Sequence, residues 1–158
     1  KNKKEDIFWI IAPHDVSNNN IERIKNMFDH QVCVFSDDLN KSNILILNTI
    51  GDLKKLYSYS EISYVGGGMG KTGLHNILEA CVFENPVIIG KNYKKFNESI
   101  ELVNLHGIIS VKNQNEFDEA FNKLLENEDF RINKTNIIKN YFKGKTGATN
   151  QIIKNLTV

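Results

Sequence analysis

The chain has 158 residues, 41% of them hydrophobic and 25% charged, with a formal net charge of +1. That length suits one domain able to bury a core without disulfide or metal staples, and the near-neutral balance excludes the broad basic field that recruits nucleic acid. No run reaches the roughly 18 apolar residues that a membrane-spanning helix needs.

Lys1 to Asp6 is charged and no Met opens the chain, so the reading is of a piece of a longer protein without a signal peptide. Ile7 to Ala12 (IFWIIA) is a continuous apolar run closed by Pro13, which predicts a buried parallel strand. Asn19 and Glu22 have capping-box spacing, and a helix over 19–28 follows. Gln31 to Phe35 and Asn43 to Leu47 read as the second and third strands. Asn48 or Thr49 is expected to cap a helix with Leu53, Leu56 and Tyr57 facing inward. Ile62 to Val65 is the fourth strand and runs into glycines, and a helix is predicted from Thr72 or Gly73 to Phe83. Pro86 opens the fifth strand (PVIIG), Phe96 to Leu105 is helical, and Gly107 is placed at the residue after its C-cap. Ile108 to Val111 is the sixth strand. Asn113 and Glu116 make a second capping box, and Phe117, Ala120, Phe121, Leu124 and Leu125 form the apolar stripe of the helix behind it. Asp129 to Val158 reads as helical and amphipathic, broken near 144–147.

Strands alternating with helices, and strands apolar throughout, predict an α/β fold: a Rossmann-like parallel sheet with helices on both faces, strand order 3-2-1-4-5-6, in a single domain over residues 1–158. Cys33 and Cys81 sit in apolar runs outside any CxxC and read as small core residues. The four histidines have no metal-ligand spacing, so no metal is expected.

In such a sheet, ligands bind beyond the carboxyl ends of the strands. That rule selects Pro13-His14-Asp15, Asn48 to Gly51, Gly66 to Gly73, and Gly90-Lys91-Asn92. The fourth-strand turn, VGGGMGKTGLHNILE, is the most informative. Gly66, Gly67 and Gly68 let the backbone approach a ligand closely, and a helix opening at Gly73 would offer free N–H groups to a phosphate, with Lys71 adding charge. Two familiar motifs nearly fit. Three residues rather than four separate Gly66 from Gly70-Lys71-Thr72, which departs from the P-loop, and Gly68, Gly70 and Gly73 satisfy GxGxxG without the acidic residue expected after the next strand. His75, Asn76 and Glu79 fall in the expected helix's first two turns. Asn76 and Glu79 are one helical step apart, and a carboxylate there can accept both hydroxyls of a ribose.

A glycine cluster after a strand, then HNILEA, then PVIIG and Asn92-x-x-x-Phe96, resembles the Kdo (3-deoxy-D-manno-octulosonic acid) transferases. Members of that family carry GGS, GGHNxLEPA, PVxxGP and a downstream N-F, preceded by PRH-like and T-MGEL elements. Those upstream elements resemble Pro13-His14 and Thr49-Ile50-Gly51-Asp52-Leu53 with Tyr57, and the likeness runs over roughly residues 7–125. No arginine precedes His14, leaving Lys71 or Lys91 to supply that charge. GGG stands for GGS, and Gly90-Lys91 for GP.

The resemblance implies the C-terminal, donor-binding half of a GT-B glycosyltransferase, with CMP-Kdo as donor and a lipid A precursor as acceptor at the cytoplasmic face of the bacterial inner membrane. It implies no metal or cofactor. Cytidine would lie by Pro13, His14, Ile50 and Gly51, the ribose on Glu79 with Asn76, and the phosphate on Gly66, Gly67, Gly68 and the helix opening at Gly73, with His75 as a donor beside the glycines. The catalytic glutamate belongs to the family's N-terminal domain, so no catalytic residue is expected here, and the chain alone should bind nucleotide weakly and transfer nothing. The full-length enzyme would associate peripherally with the membrane. Three rivals remain open: a GT-B donor domain or epimerase using a UDP-sugar, a P-loop-like nucleotide-binding protein, and a non-catalytic nucleotide-sensing module.

Overall fold

The computed structural model describes residues 7–28, 32–35, 42–71, 73–143, 145 and 153–156. Within these the chain forms two compact units, residues 1–56 and 57–158.

The first unit contains β1 (Trp9–Ile11), α1 (Asn18–Lys25), β2 (Cys33–Val34), β3 (Ile44–Ile46) and most of α2 (Leu53–Tyr57). Its three strands are parallel in the order β1-β3-β2, with Trp9 opposite Ile44 and Cys33 opposite Leu45. This corrects the expected 3-2-1 order, since β3 and not β2 is central. Ile44, Leu45, Ile46 and Leu47 are all buried, as a strand flanked on both edges requires, but Cys33 and Val34 of the edge strand β2 are buried as well, so the order is set by the backbone pairing and not by burial alone. α1 lays Ile21 and Ile24 on Val34 and Ile46. Its cap also differs from expectation. Asn19 lies inside the helix, Ser17 takes the N-cap position, and Asp15 holds Ser17 through its backbone N–H at 2.9 Å and its hydroxyl at 3.0 Å. Thr49 donates to Asp52 (2.8 Å) just ahead of α2, and no residue of that short helix is buried.

The second unit contains β4 (Ser63–Val65), α3 (Leu78–Cys81), β5 (Val87–Gly90), α4 (Asn97–Asn104), β6 (Ile109–Val111), α5 (Gln114–Glu126) and α6 (Glu128–Phe142). The strands are parallel in the expected order β4-β5-β6. β5 shows why the sheet is covered on both faces. Val87 and Ile89 enter one cluster with Ala80, Cys81, Leu102 and Ile138, while Ile88 enters the other with Val111, Leu124 and Phe117. Successive side chains point to opposite faces of a strand, so a run of four buried residues needs apolar partners above and below. Each fully buried Ile or Leu stabilises the fold by about 1.5–3 kcal/mol. Both cysteines are buried thiols, as core residues.

Helix ends follow local chemistry. Asn113 caps α5 by accepting from Glu116 N–H (3.0 Å), and the Glu116 carboxylate returns to Lys112 N–H (2.9 Å), one residue earlier than in an ideal capping box. Asn127 caps α6 the same way through Phe130 N–H (2.8 Å). α4 closes with paired bonds from Gly107 N–H to the Leu102 carbonyl (2.8 Å) and from His106 N–H to the Val103 carbonyl (3.0 Å). The left-handed residue of that motif is His106, at φ 57°, and not Gly107 as the composition suggested. Gly107 is needed for a different reason, because a Cβ there would meet Ile137 at 3.0 Å.

The largest correction concerns the segment after the glycines. The expected helix over 73–83 is reduced to Leu78–Cys81. Gly73 sits at φ +87°, which no right-handed helix accommodates, and His75 N–H bonds the Gly66 carbonyl (3.1 Å) in place of a helical partner. Thr72, the other expected cap, lies outside the described residues, as do Gln31 and the expected break at 144 and 146–147.

Candidate functional site

In the first unit, Pro13-His14 follows β1 and Ile50-Gly51 follows β3. Because β1 and β3 are adjacent and parallel, with Leu47 N–H on the Ile11 carbonyl (2.8 Å), both turns leave from the same end of one sheet. His14 is exposed and Ile50 is 89% exposed, an apolar side chain standing in solvent on the turn beyond a central strand. Gly51 adopts φ +98°, a conformation costly for any residue with a Cβ. Asp15 organises the first turn: its carbonyl also accepts from the Asn20 side chain (2.6 Å). Its carboxyl is held below the usual range by hydrogen bonds from Ser17 and the nearby charges of His14 and Arg23.

In the second unit, the turn after β4 is built on its own backbone. Gly67 has φ +86°, and a Cβ there would lie 2.0 Å from the Gly73 carbonyl oxygen and 2.8 Å from the His75 ring. The peptide joining Gly68 to Met69 lies across the α-carbon of Gly90, where a Cβ would come within 2.3 Å of the Gly68 carbonyl carbon. Asn92 clasps the turn twice, its N–H on the Gly68 carbonyl (2.8 Å) and its side-chain amide on the Gly70 carbonyl (2.9 Å).

These contacts set the electrostatics. The carbonyls of Gly66, Gly68 and Gly70 accept from His75, Asn92 and Asn92 respectively. In a planar trans peptide the following N–H points opposite to the carbonyl, and no cis bond is present among the described residues. The N–H groups of Gly67, Met69 and Lys71 are therefore turned away from the clasp. The side chain of Lys71 is exposed and forms no ion pair among the described residues.

His75 belongs to this turn as packing, with its ring against Gly66 and Gly67. Asn76 lies outside α3, and its side-chain oxygen accepts from Leu78 N–H (3.0 Å) while its amide reaches Glu79 at 3.4 Å. Asn-x-x-Glu is a helix-start signature, so the pairing first read as a ribose clamp also begins the helix. Glu79 is half-buried, not sunk in the core. Its charge and burial together raise the pKa of Tyr57, burial being the larger cause. Gly66, Gly67, Gly68, Gly73, His75, Asn76 and Glu79 are thus gathered at one strand end. Gly90 and Asn92, which shape the turn, belong to the segment the sequence selected beyond the fifth strand, but their clasp on Gly68 and Gly70 was not legible there. Among the described residues no group of His, Cys, Asp or Glu is arranged to hold a metal ion, and no helix is long and apolar enough to cross a membrane.

The parallel strands and the helices that cover them place the chain in the α/β class. Its fold matches the C-terminal CMP-Kdo binding domain of WaaA from Acinetobacter baumannii, with a TM-score of 0.75 and 17% identity over 83% of this chain and 71% of that one. In sequence the chain is similar to a 3-deoxy-D-manno-octulosonic acid transferase of Haemophilus influenzae, 33% identical over 92 residues, which are 57% of this chain and 22% of that protein. It is also similar to a bifunctional glycosyltransferase/methyltransferase of Fusobacterium nucleatum, 32% identical over 113 residues, 63% of this chain and 17% of that protein. The chain therefore spans about a fifth of the length of these two relatives. No protein-family model matches it. The resemblance read from HNILEA and its flanking glycines holds in both the sequence and the fold.

Proposed function

We propose that this chain is the donor-binding domain of a glycosyltransferase of GT-B architecture that transfers Kdo from CMP-Kdo to a lipid A precursor. The observation that carries the reading is the clasped glycine turn: Gly67 has no room for a Cβ, and the carbonyls of Gly66, Gly68 and Gly70 are tied to His75 and Asn92, just ahead of the helix that carries Glu79. Amides preset in this way stabilise the charge that develops on a departing phosphate without reorganising during the reaction. Glu79, steadied by Asn76, accepts the ribose hydroxyls. Support comes from the similarity to Kdo transferases and from the fold shared with a CMP-Kdo binding domain. No metal or cofactor enters the proposal. The general base and the acceptor groove are assigned to a partner domain at the cytoplasmic membrane face, so this polypeptide alone binds nucleotide weakly and transfers nothing.

The test is calorimetric titration of CMP, UMP and UDP into the chain and into Glu79→Gln. CMP should bind best, and the substitution should weaken it about tenfold, the worth of one charge-assisted interaction. Tight UDP binding with silent CMP would transfer the chain to the UDP-sugar enzymes. Magnesium-dependent ATP binding would return it to the P-loop class.

A further inference from the structure

The second unit carries a groove of about 790 Å³ that includes none of the glycine-turn residues. It follows β6, the edge strand of its sheet, between the end of α4 and the faces of α5 and α6. Val103, Ile108 and Phe130 make it apolar in part, but its charge sets it apart. Lys91, Lys94, Lys112, Lys123 and Lys134 all line it, against the carboxylates of Glu116 and Glu119, in a chain whose net charge is only +1. The ion pairs among the described residues are made by other lysines, namely Lys25, Lys55, Lys139 and Lys145. Glu116 is engaged with the backbone N–H of Lys112.

Two of the five share one aromatic neighbour. Lys123 and Lys134 place their ammonium groups 4.2 Å and 4.8 Å from the centroid of the same Phe130 ring. Lys134 is 7% exposed, and of its three donors one is used, on the His106 carbonyl at 2.5 Å. Burial, with the charge of Lys123 beside it, lowers its pKa. A buried ammonium that feels a second cation nearby is costly unless an anion completes it, and the cation–π contacts compensate only partly.

We propose that this groove is a second ligand site, for a phosphate-bearing anion held by Lys134 and Lys123 with Lys112, all of which line it. The anion neutralises the pair and takes the spare donors of Lys134. A free phosphorylated metabolite and a lipid phosphate headgroup share this chemistry.

Pyrophosphate titrated into the ¹⁵N-labelled chain should shift the amides of Ser110, Lys112, Lys123 and Phe130, and the binding should weaken with salt. Lys123→Gln, at an exposed position that leaves the fold intact, should weaken it about tenfold without changing CMP binding. A parallel sedimentation arm uses vesicles of phosphatidylcholine with and without phosphatidic acid. Binding of either probe that is lost in Lys123→Gln supports the site and identifies the source. Failure of both, or binding unchanged by the substitution, overturns it. Since CMP is followed in the same samples, loss of CMP binding with retained pyrophosphate shifts sinks the donor reading alone.

Discussion

At the scale of single residues, glycines at the same φ serve different ends. Gly51 (φ +98°) has open space around it, whereas Gly67 (φ +86°) has the Gly73 carbonyl where a Cβ would go. Gly51→Ala should therefore cost only the left-handed strain, about 1 kcal/mol, and Gly67→Ala about 3 kcal/mol together with nucleotide binding. Urea denaturation of both variants checks the contrast, and equal costs would show that the clasp is not tight. Cys81 makes a prediction in pH. Burial raises its thiol from 9.0 to about 12, so the folded chain holds a proton that the unfolded chain releases. Its contribution to stability is complete below pH 9.0 and is lost as pH rises toward about 12. Cys81→Ala should flatten the alkaline limb of the stability curve, measured by denaturation at stepped pH.

At the scale of elements, caps decide where helices begin and end. Asn113→Ala removes the acceptor for Glu116 N–H and should destabilise by about 1 kcal/mol. His106→Gly relieves a left-handed histidine while the carbonyl that Lys134 uses stays in place. It should stabilise by about 1 kcal/mol, read as a raised Tm. Much at this scale was legible in sequence. The Asn113 cap, the stripe through Phe117 and Leu124, and the buried run of β5 all rest on periodicity and side-chain chemistry close along the chain. The helix after the glycines was not, although Asn76 and Glu79 carried the spacing of a helix start. Apolar residues at Leu74, Ile77, Leu78 and Cys81 keep helical period across a segment that a backbone bond from His75 to Gly66 holds out of helix.

At the scale of the molecule, ligand and stability are linked. A nucleotide bound only by the folded state stabilises it by about 2.7 kcal/mol at a hundredfold excess over Kd. Cys81 is buried in α3, the short helix that also carries Glu79, so CMP should slow its reaction with a thiol reagent more than UDP does. The reverse order would argue against the cytidine donor. Charge is organised at this scale too: a near-neutral chain gathers five lysines along one strand edge, from segments between Lys91 and Lys134.

What the sequence determined by itself is the alternation of strand and helix, the parallel α/β class and the strand end that carries the glycines, because apolar period and turn chemistry act over a few residues. The same short range made HNILEA and its glycines recognisable. Tertiary structure alone decided that β3 lies between β1 and β2, that Asn92 clasps the turn through Gly68 and Gly70, that helix waits until Leu78, and that Lys123 and Lys134 share Phe130 as a neighbour. Each of these depends on a bond or burial between segments distant in the chain, where packing outweighs local propensity.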